Sequence, residues 1–259
     1  MVTSTANKEH ESESTRQGGS RSRRSNWGNY VVIAVGLAAV LGGAAAVGQV
    51  VRGGRASTVE APNNAVGVGS GTKLDLPVRP TVPVTLTVFE DPRSPQSKTF
   101  AQGYAATFSR LLASGQVQIN YRLVTQSDEK YGGSGAKEAA AAAACAQDQG
   151  RLTAFMDQVW QHQPAPGDDA LKDRALLIKL AKKAKKIDHD GFKLCVDRDE
   201  RTGWVAASQS EYAKAHLGDV PLIQLNGRTL PAPATQLTPA KLTTLVKKEA
   251  QRVIAAAAP

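Results

Sequence analysis

Two cysteines and four histidines hold most of the reactive chemistry available to this 259-residue chain. A thiolate attacks sulfur or binds metal, and an imidazole moves protons or ligates metal near neutral pH. Spacing limits what either can do here. Cys145 and Cys195 lack the Cys-x-x-Cys spacing of a local dithiol. Two cysteines also exclude a four-cysteine zinc site and a disulfide-stapled miniprotein. His10, His162, His189 and His216 form no ligand-spaced cluster, so neither a metal nor a cofactor is expected. Asp188-His189-Asp190 is expected to be a helix-terminating loop rather than a ligand set. There is no GxxxxGK[ST] and no GxGxxG, so no phosphate-cradling loop is evident.

The formal net charge of +9 raises the question of nucleic acid. The one dense basic run is Lys179, Lys182, Lys183, Lys185 and Lys186, without interleaved aromatics to stack on bases. It is expected to be the solvated face of a helix, and no nucleic-acid partner is expected.

The N-terminus carries the first organisational signal. Residues 1–29 are polar and have the composition of a disordered cytosolic tail. Residues 30–51 contain no charge, and at a helical rise they span roughly 33 Å, enough for a hydrocarbon core. Arg21, Arg23 and Arg24 precede this segment, which favours an inside N-terminus and an exported C-terminal domain. A cleaved signal peptide with a site near Ala44-Ala45-Ala46 is the competing reading. Residues 52–74 have the composition of a linker, with 65–73 a candidate short edge strand, and the folded domain is expected over 75–259.

Within that domain, periodicity predicts alternating elements. Residues 82–89 and 117–124 are β-branched and alternate, as strands do. Between them, 97–113 places Phe100, Tyr104, Phe108, Leu111 and Leu112 at helical spacing. Helices are predicted over 138–160, 170–187 and 203–217, with Trp160 and Trp204 as core residues. A strand at 221–225, an Asn226-Gly227 hairpin turn and a returning strand at 228–230 follow. A last helix at 239–257 is capped by Thr238. The order is β-α-β, a block of helices, a β-hairpin and a helix.

An ordered set of segments resembles the DsbA-like thioredoxin-fold family. Val88-Phe89-Glu90-Asp91-Pro92-Arg93-Ser94-Pro95-Gln96-Ser97-Lys98-Thr99-Phe100 is similar to that family's active-site strand, turn and helix. Tyr121-Arg122, residues 139–155, Phe192-Lys193-Leu194-Cys195, and Val220-Pro221 before the hairpin match further family segments in order. The resemblance covers roughly 75–255 and is strongest to exported, membrane-anchored actinobacterial members. It implies an α/β, thioredoxin-like fold with an inserted helical subdomain at about 135–217, preceded by a single transmembrane helix.

The resemblance fails at the reacting atoms. The family's two active-site cysteines correspond to Ser94 and Ser97. Disulfide exchange needs an attacking thiolate and a leaving thiol, and a hydroxyl supplies neither. Ser94 as an acyl-transfer nucleophile would need a base that no nearby pattern supplies, and serine suits a helix cap. The family's buried acid corresponds to Glu90 or Asp91, which has no cysteine to serve. Cys145 and Cys195 are expected to form a structural disulfide, as relatives carry in their helical block, worth roughly 3–4 kcal/mol. The resemblance also implies a cis peptide before Pro221, beside the turn, in a groove that binds extended chains by strand addition. The expected function is a membrane-anchored, extracytoplasmic, non-redox binding module. Its site would comprise Ser94, Pro95, Gln96, Ser97, Val220 and Pro221, and its partner an exported unfolded or extended polypeptide or an envelope protein. The alternatives are a thiol–disulfide oxidoreductase working through Cys145 and Cys195, and a structural subunit of a membrane complex.

Overall fold

A strand of seven residues with six buried side chains has to sit inside a sheet, and Val84–Glu90 (β2) does so. The computed structural model describes residues 60–67, 73–78, 82, 84–233 and 236–257; the expected tail (1–29) and membrane segment (30–51) lie outside them. β2 pairs in parallel with Val117–Leu123 (β3), from Val84 opposite Val117 to Glu90 opposite Leu123. The helix Pro95–Ala113 (α1) joins them, as a parallel pair requires. On the other side of β2 lies Leu222–Leu225 (β4), antiparallel, which turns through Asn226 and Gly227, both at positive φ, into Arg228–Thr229 (β5). Leu76–Pro77 (β1) closes the far edge against β3, so the sheet order is β1-β3-β2-β4-β5.

One side of the sheet is covered by α1 and by the last helix, Pro239–Ala257 (α8). Phe100, Tyr104, Phe108 and Leu111 form the buried stripe of α1, and Leu242, Val246 and Ala250 that of α8. Both close on Leu86, Val88, Ile119 and Ile223, and each such side chain contributes roughly 1.5–3 kcal/mol when taken from water. Thr238 accepts from the Lys241 amide and so starts α8 where the sequence places its cap.

The helical layer lies between β3 and β4 in sequence. It comprises Gln126–Tyr131 (α2), Gly135–Asp148 (α3), Leu152–Gln161 (α4), Arg174–Lys183 (α5), His189–Asp197 (α6) and Thr202–Lys214 (α7). Every residue of α3 from Ala139 to Gln147 is buried, and α4, α6 and α7 all pack on it. A helix apolar on all sides belongs at the centre of a layer, and alanine lets its neighbours approach closely.

Several boundaries differ from those read in the sequence. The helix expected over 138–160 is two helices. It breaks where Gly150 takes a φ of 66° and the Arg151 amide reaches back 2.8 Å to the Ala146 carbonyl. That is a glycine helix stop hidden inside an apolar period. The stretch over 170–187 divides at Asp173, whose side chain caps α5. Asp188, expected in a helix-terminating loop, instead opens α6 by accepting from Asp190 and Gly191. The packed region also begins before residue 75. Ala65 and Leu74 join the helical core, Val66 bridges Asp75, and the Trp204 indole donates 2.8 Å to the Lys73 carbonyl.

Cys145 on α3 and Cys195 on α6 are bonded, with Cα atoms 6.0 Å apart and 50 residues between them in sequence. Both are buried in the helical core. In the chain-entropy account such a loop is worth about 4 kcal/mol. Cys145→Ala/Cys195→Ala is therefore expected to lose about that much in urea unfolding. Unchanged stability would assign the bond no structural role.

Candidate functional site

The parallel strands end together, and the turn Asp91–Ser94 starts at that edge. Ser94 is the N-cap of α1: its Oγ accepts from the Ser97 amide at 3.2 Å. The same hydroxyl donates to Gln96 Oε1 at 3.1 Å. Ser97 has no exposed surface, and its Oγ accepts from the Asp91 amide at 3.1 Å. Both serines therefore work as hydrogen-bonding pieces of the turn. Pro95 follows at the first helical position, where its missing N–H costs nothing.

Two buried charges hold this turn from beneath. Asp91 accepts from the Arg93 amide at 2.8 Å and from the Ser127 amide at 2.6 Å. Burial pushes its carboxyl above the usual range, against the pull of those two donors. Arg93 is 1% exposed. Its guanidinium meets Asp128 and Asp169, each at 3.2 Å, and donates 2.5 Å to the Gly132 carbonyl. The two acids are themselves bound to backbone. Asp128 accepts from the Ala136 and Lys137 amides, and Asp169 from those of Ser134 and Gly135. These are the free donors at the start of α3, so carboxylates there satisfy both the amides and the helix dipole. The crossing needs glycine: a Cβ on Gly133 would lie 2.3 Å from Asp169, and one on Gly135 would lie 2.7 Å away. Gln163, beyond α4, adds bonds to the Pro92 and Ser94 carbonyls.

The loop before β4 closes on the same turn. The peptide between Val220 and Pro221 is cis. Gln126 at the start of α2 accepts from the Val220 amide at 3.2 Å and donates to the Gly218 carbonyl at 2.8 Å. An open groove of about 560 Å³ runs past Pro95, Gln96, Val220 and Pro221, with Ala232 and Pro233 at one end. A smaller hollow of about 150 Å³ reaches Ser94, Asp91 and Tyr131. The structure thus brings Ser94, Pro95, Gln96, Val220 and Pro221 together, with Ser97 buried beneath them. Cys145 and Cys195 belong to the core of the helical layer and line neither space. Among the described residues no group of three or more His, Cys, Asp or Glu is placed to hold a metal.

A thioredoxin family model matches residues 79–248. The chain belongs to the thioredoxin family. Its fold is DsbA-like. Oxidised DsbA of Mycobacterium tuberculosis superposes with a TM-score of 0.57 at 22% identity, over 77% of this chain and 99% of that one. Oxidised BdbD of Bacillus subtilis gives 0.58 at 21%, over 73% and 100%. Reduced DsbG of M. tuberculosis gives 0.53 at 21%, over 75% and 90%. No curated protein matches the chain in sequence. Identities this low establish the shared fold, and function has to be argued from the site.

In this thioredoxin-family chain Ser94 and Ser97 build the turn through hydrogen bonds. Its supports were not legible in sequence. Asp128 and Asp169 lie 35 and 76 residues beyond Arg93, and no spacing rule links them. Glu90, just before the turn, is 2% exposed, and its Oε1 has no hydrogen-bond partner. Burial, aided by the Asp157 charge, pushes its carboxyl up to about 8.

Two outcomes are expected. Arg93→Ala leaves two acids without their cation and should cost about 3–5 kcal/mol in urea unfolding, against about 1 kcal/mol for loss of the Ser94 cap. Equal losses would deny Arg93 its role. For Glu90 the folded state holds its proton more tightly than the unfolded one, whose value is near 4.5. Its contribution is therefore fully present below about pH 4.5 and is lost as pH rises to about 8, a change on the order of 4 kcal/mol. Glu90→Gln should flatten the stability profile across that window; a profile parallel to that of the unmutated chain would be the contrary result.

Proposed function

We propose that this chain is a membrane-anchored, extracytoplasmic DsbA-like protein that binds extended polypeptide without redox chemistry. The observation that carries the reading is the state of the turn. The two hydroxyls standing where the family has thiols are committed to hydrogen bonds that build the helix start. The chain's only two cysteines are bonded to each other and buried, 2% and 8% exposed, which keeps an attacking thiolate from either sulfur. Cys145 and Cys195 as a working redox pair would need that core to open.

The groove supports binding. Pro95, Val220, Pro221, Ala232 and Pro233 give it apolar walls beside a sheet whose neighbouring backbone is extended. A chain lying there would pair with backbone beside Pro221 and set alternate side chains against those walls. Gln126 already occupies the Val220 amide. An incoming strand must displace that side chain or use the carbonyl alone, which points to weak, exchangeable capture rather than a tight complex.

Anchoring rests on the uncharged segment 30–51, which lies outside the described residues. Among the described residues no helix is long and apolar enough to cross a membrane. The exported unfolded chain or envelope protein expected from sequence fits a groove held at the outer surface by that anchor.

The decisive assay is oxidation of a reduced, unfolded substrate in a glutathione buffer, with capture of a fluorescent extended peptide read in parallel. The unmutated chain should capture peptide and leave oxidation at the background rate. Ser94→Cys/Ser97→Cys should accelerate oxidation by about tenfold or more, since it places a thiol at a helix N-terminus. Acceleration by the unmutated chain that Cys145→Ala abolishes would overturn the reading in favour of the buried pair. Absence of peptide capture would remove the binding role.

A further inference from the structure

A partly open hollow of about 230 Å³ lies between α1 and α4, separate from the groove at Pro221. Side-chain size produces it. Ala101 and Ala105 stand one turn apart on α1 and share the hollow with Met156 and Trp160, one turn apart on α4. Two alanines leave space that leucines there would fill.

The electrostatics of the hollow are one-sided. Glu90, at the end of β2, lines it, almost wholly buried and with Oε1 unpartnered. Asp157 on α4 lies at its exposed edge. Among the described residues no lysine, arginine or histidine lines it. Phe108, Tyr121 and Trp160 contribute aromatic surface, whose ring faces attract cations. A buried carboxyl without a donor is costly, and a ligand that donates to it removes that cost.

We propose that this hollow binds a small organic cation: a protonated amine carried on a compact apolar or aromatic body. The ammonium would donate to Glu90, with Asp157 completing the negative side, and the body would fill the space that Ala101 and Ala105 leave. The volume falls below the roughly 300–1,000 Å³ of drug-sized sites, which limits the ligand to a small one. A neutral ligand of the same shape could offer Glu90 only an uncharged hydrogen bond, and an anionic one would meet the Asp157 charge. Asp157 and Tyr121 are the other titratable groups facing Glu90. Since burial and the Asp157 charge hold Glu90 protonated up to about 8, an ammonium bound at neutral pH would ionise it and release its proton. The inference stands apart from the groove at Ser94–Ser97 and from the peptide reading.

The test is calorimetric titration of the full-length chain with phenethylamine and with its neutral counterpart, 2-phenylethanol, in two buffers of different ionisation enthalpy. The amine should bind saturably, release close to one proton, and exceed the alcohol by about tenfold, the worth of one charge-assisted hydrogen bond. Glu90→Gln should remove that preference. Ala105→Phe, at the exposed edge, should block the amine while leaving Glu90 in place, so the outcome does not hang on one variant's folding. No binding of the amine, equal binding of the alcohol, or an undiminished preference in both variants would overturn the proposal.

Discussion

A guanidinium at 1% exposure is tolerable only if the protein surrounds it with charge and acceptors, and Arg93 imposes that condition on everything near the turn. Its partners come from two separate segments of the helical layer, Asp128 and Asp169. Those acids also receive the amides that α3 leaves free at its start. One cluster therefore fixes the turn, the beginning of the central alanine helix and the loop before α5. Remove the cation and two carboxylates are left facing each other at a helix entrance. The glycines at 133 and 135 follow from the same constraint, since the Asp169 carboxylate fills the space a Cβ would need.

That cluster holds the turn in place around two serine hydroxyls. In a redox turn, the helix start lowers a thiol pKa and the buried second sulfur completes the disulfide. Here the same positions hold hydroxyls that satisfy backbone amides. Serine suits both jobs because it is small and its oxygen accepts well at an N-cap. The fold agrees with DsbA-type structures, and the chemistry does not follow from that agreement. The chain's two cysteine sulfurs lie in the helical core, where their bond joins α6 to the central helix α3 on which it packs.

Glu90 and Arg93 sit three residues apart and show opposite solutions to burial. Arg93 is met by two acids and a carbonyl. Glu90 meets no cation among the described residues, and burial together with the Asp157 charge favours its protonated form. The contrast comes from position. Glu90 ends β2 against the α1–α4 side, whereas Arg93 lies in the turn beyond the strand and reaches the acids of the helical layer.

Much of the architecture follows from local pattern. The period-two runs became β2 and β3, the Asn226-Gly227 signal became the turn between β4 and β5, and the stripe of Phe100, Tyr104 and Phe108 became the covered face of α1. That the turn carries hydroxyls and no thiol is visible in the letters alone, because chemistry at a turn depends on which atoms are present. The break at Gly150 was hidden, since an apolar period continues through a glycine stop and only backbone hydrogen bonds reveal it. Arg93, Asp128 and Asp169 looked like ordinary surface charges in the sequence. Their burial and pairing exist only once the helical layer folds onto the turn, because ion pairing is a matter of distance in space and desolvation rather than of spacing along the chain. The unpaired Glu90 and the hollow beside it have the same origin: which groups are left without partners is decided by what tertiary packing brings near them, and by what it leaves out.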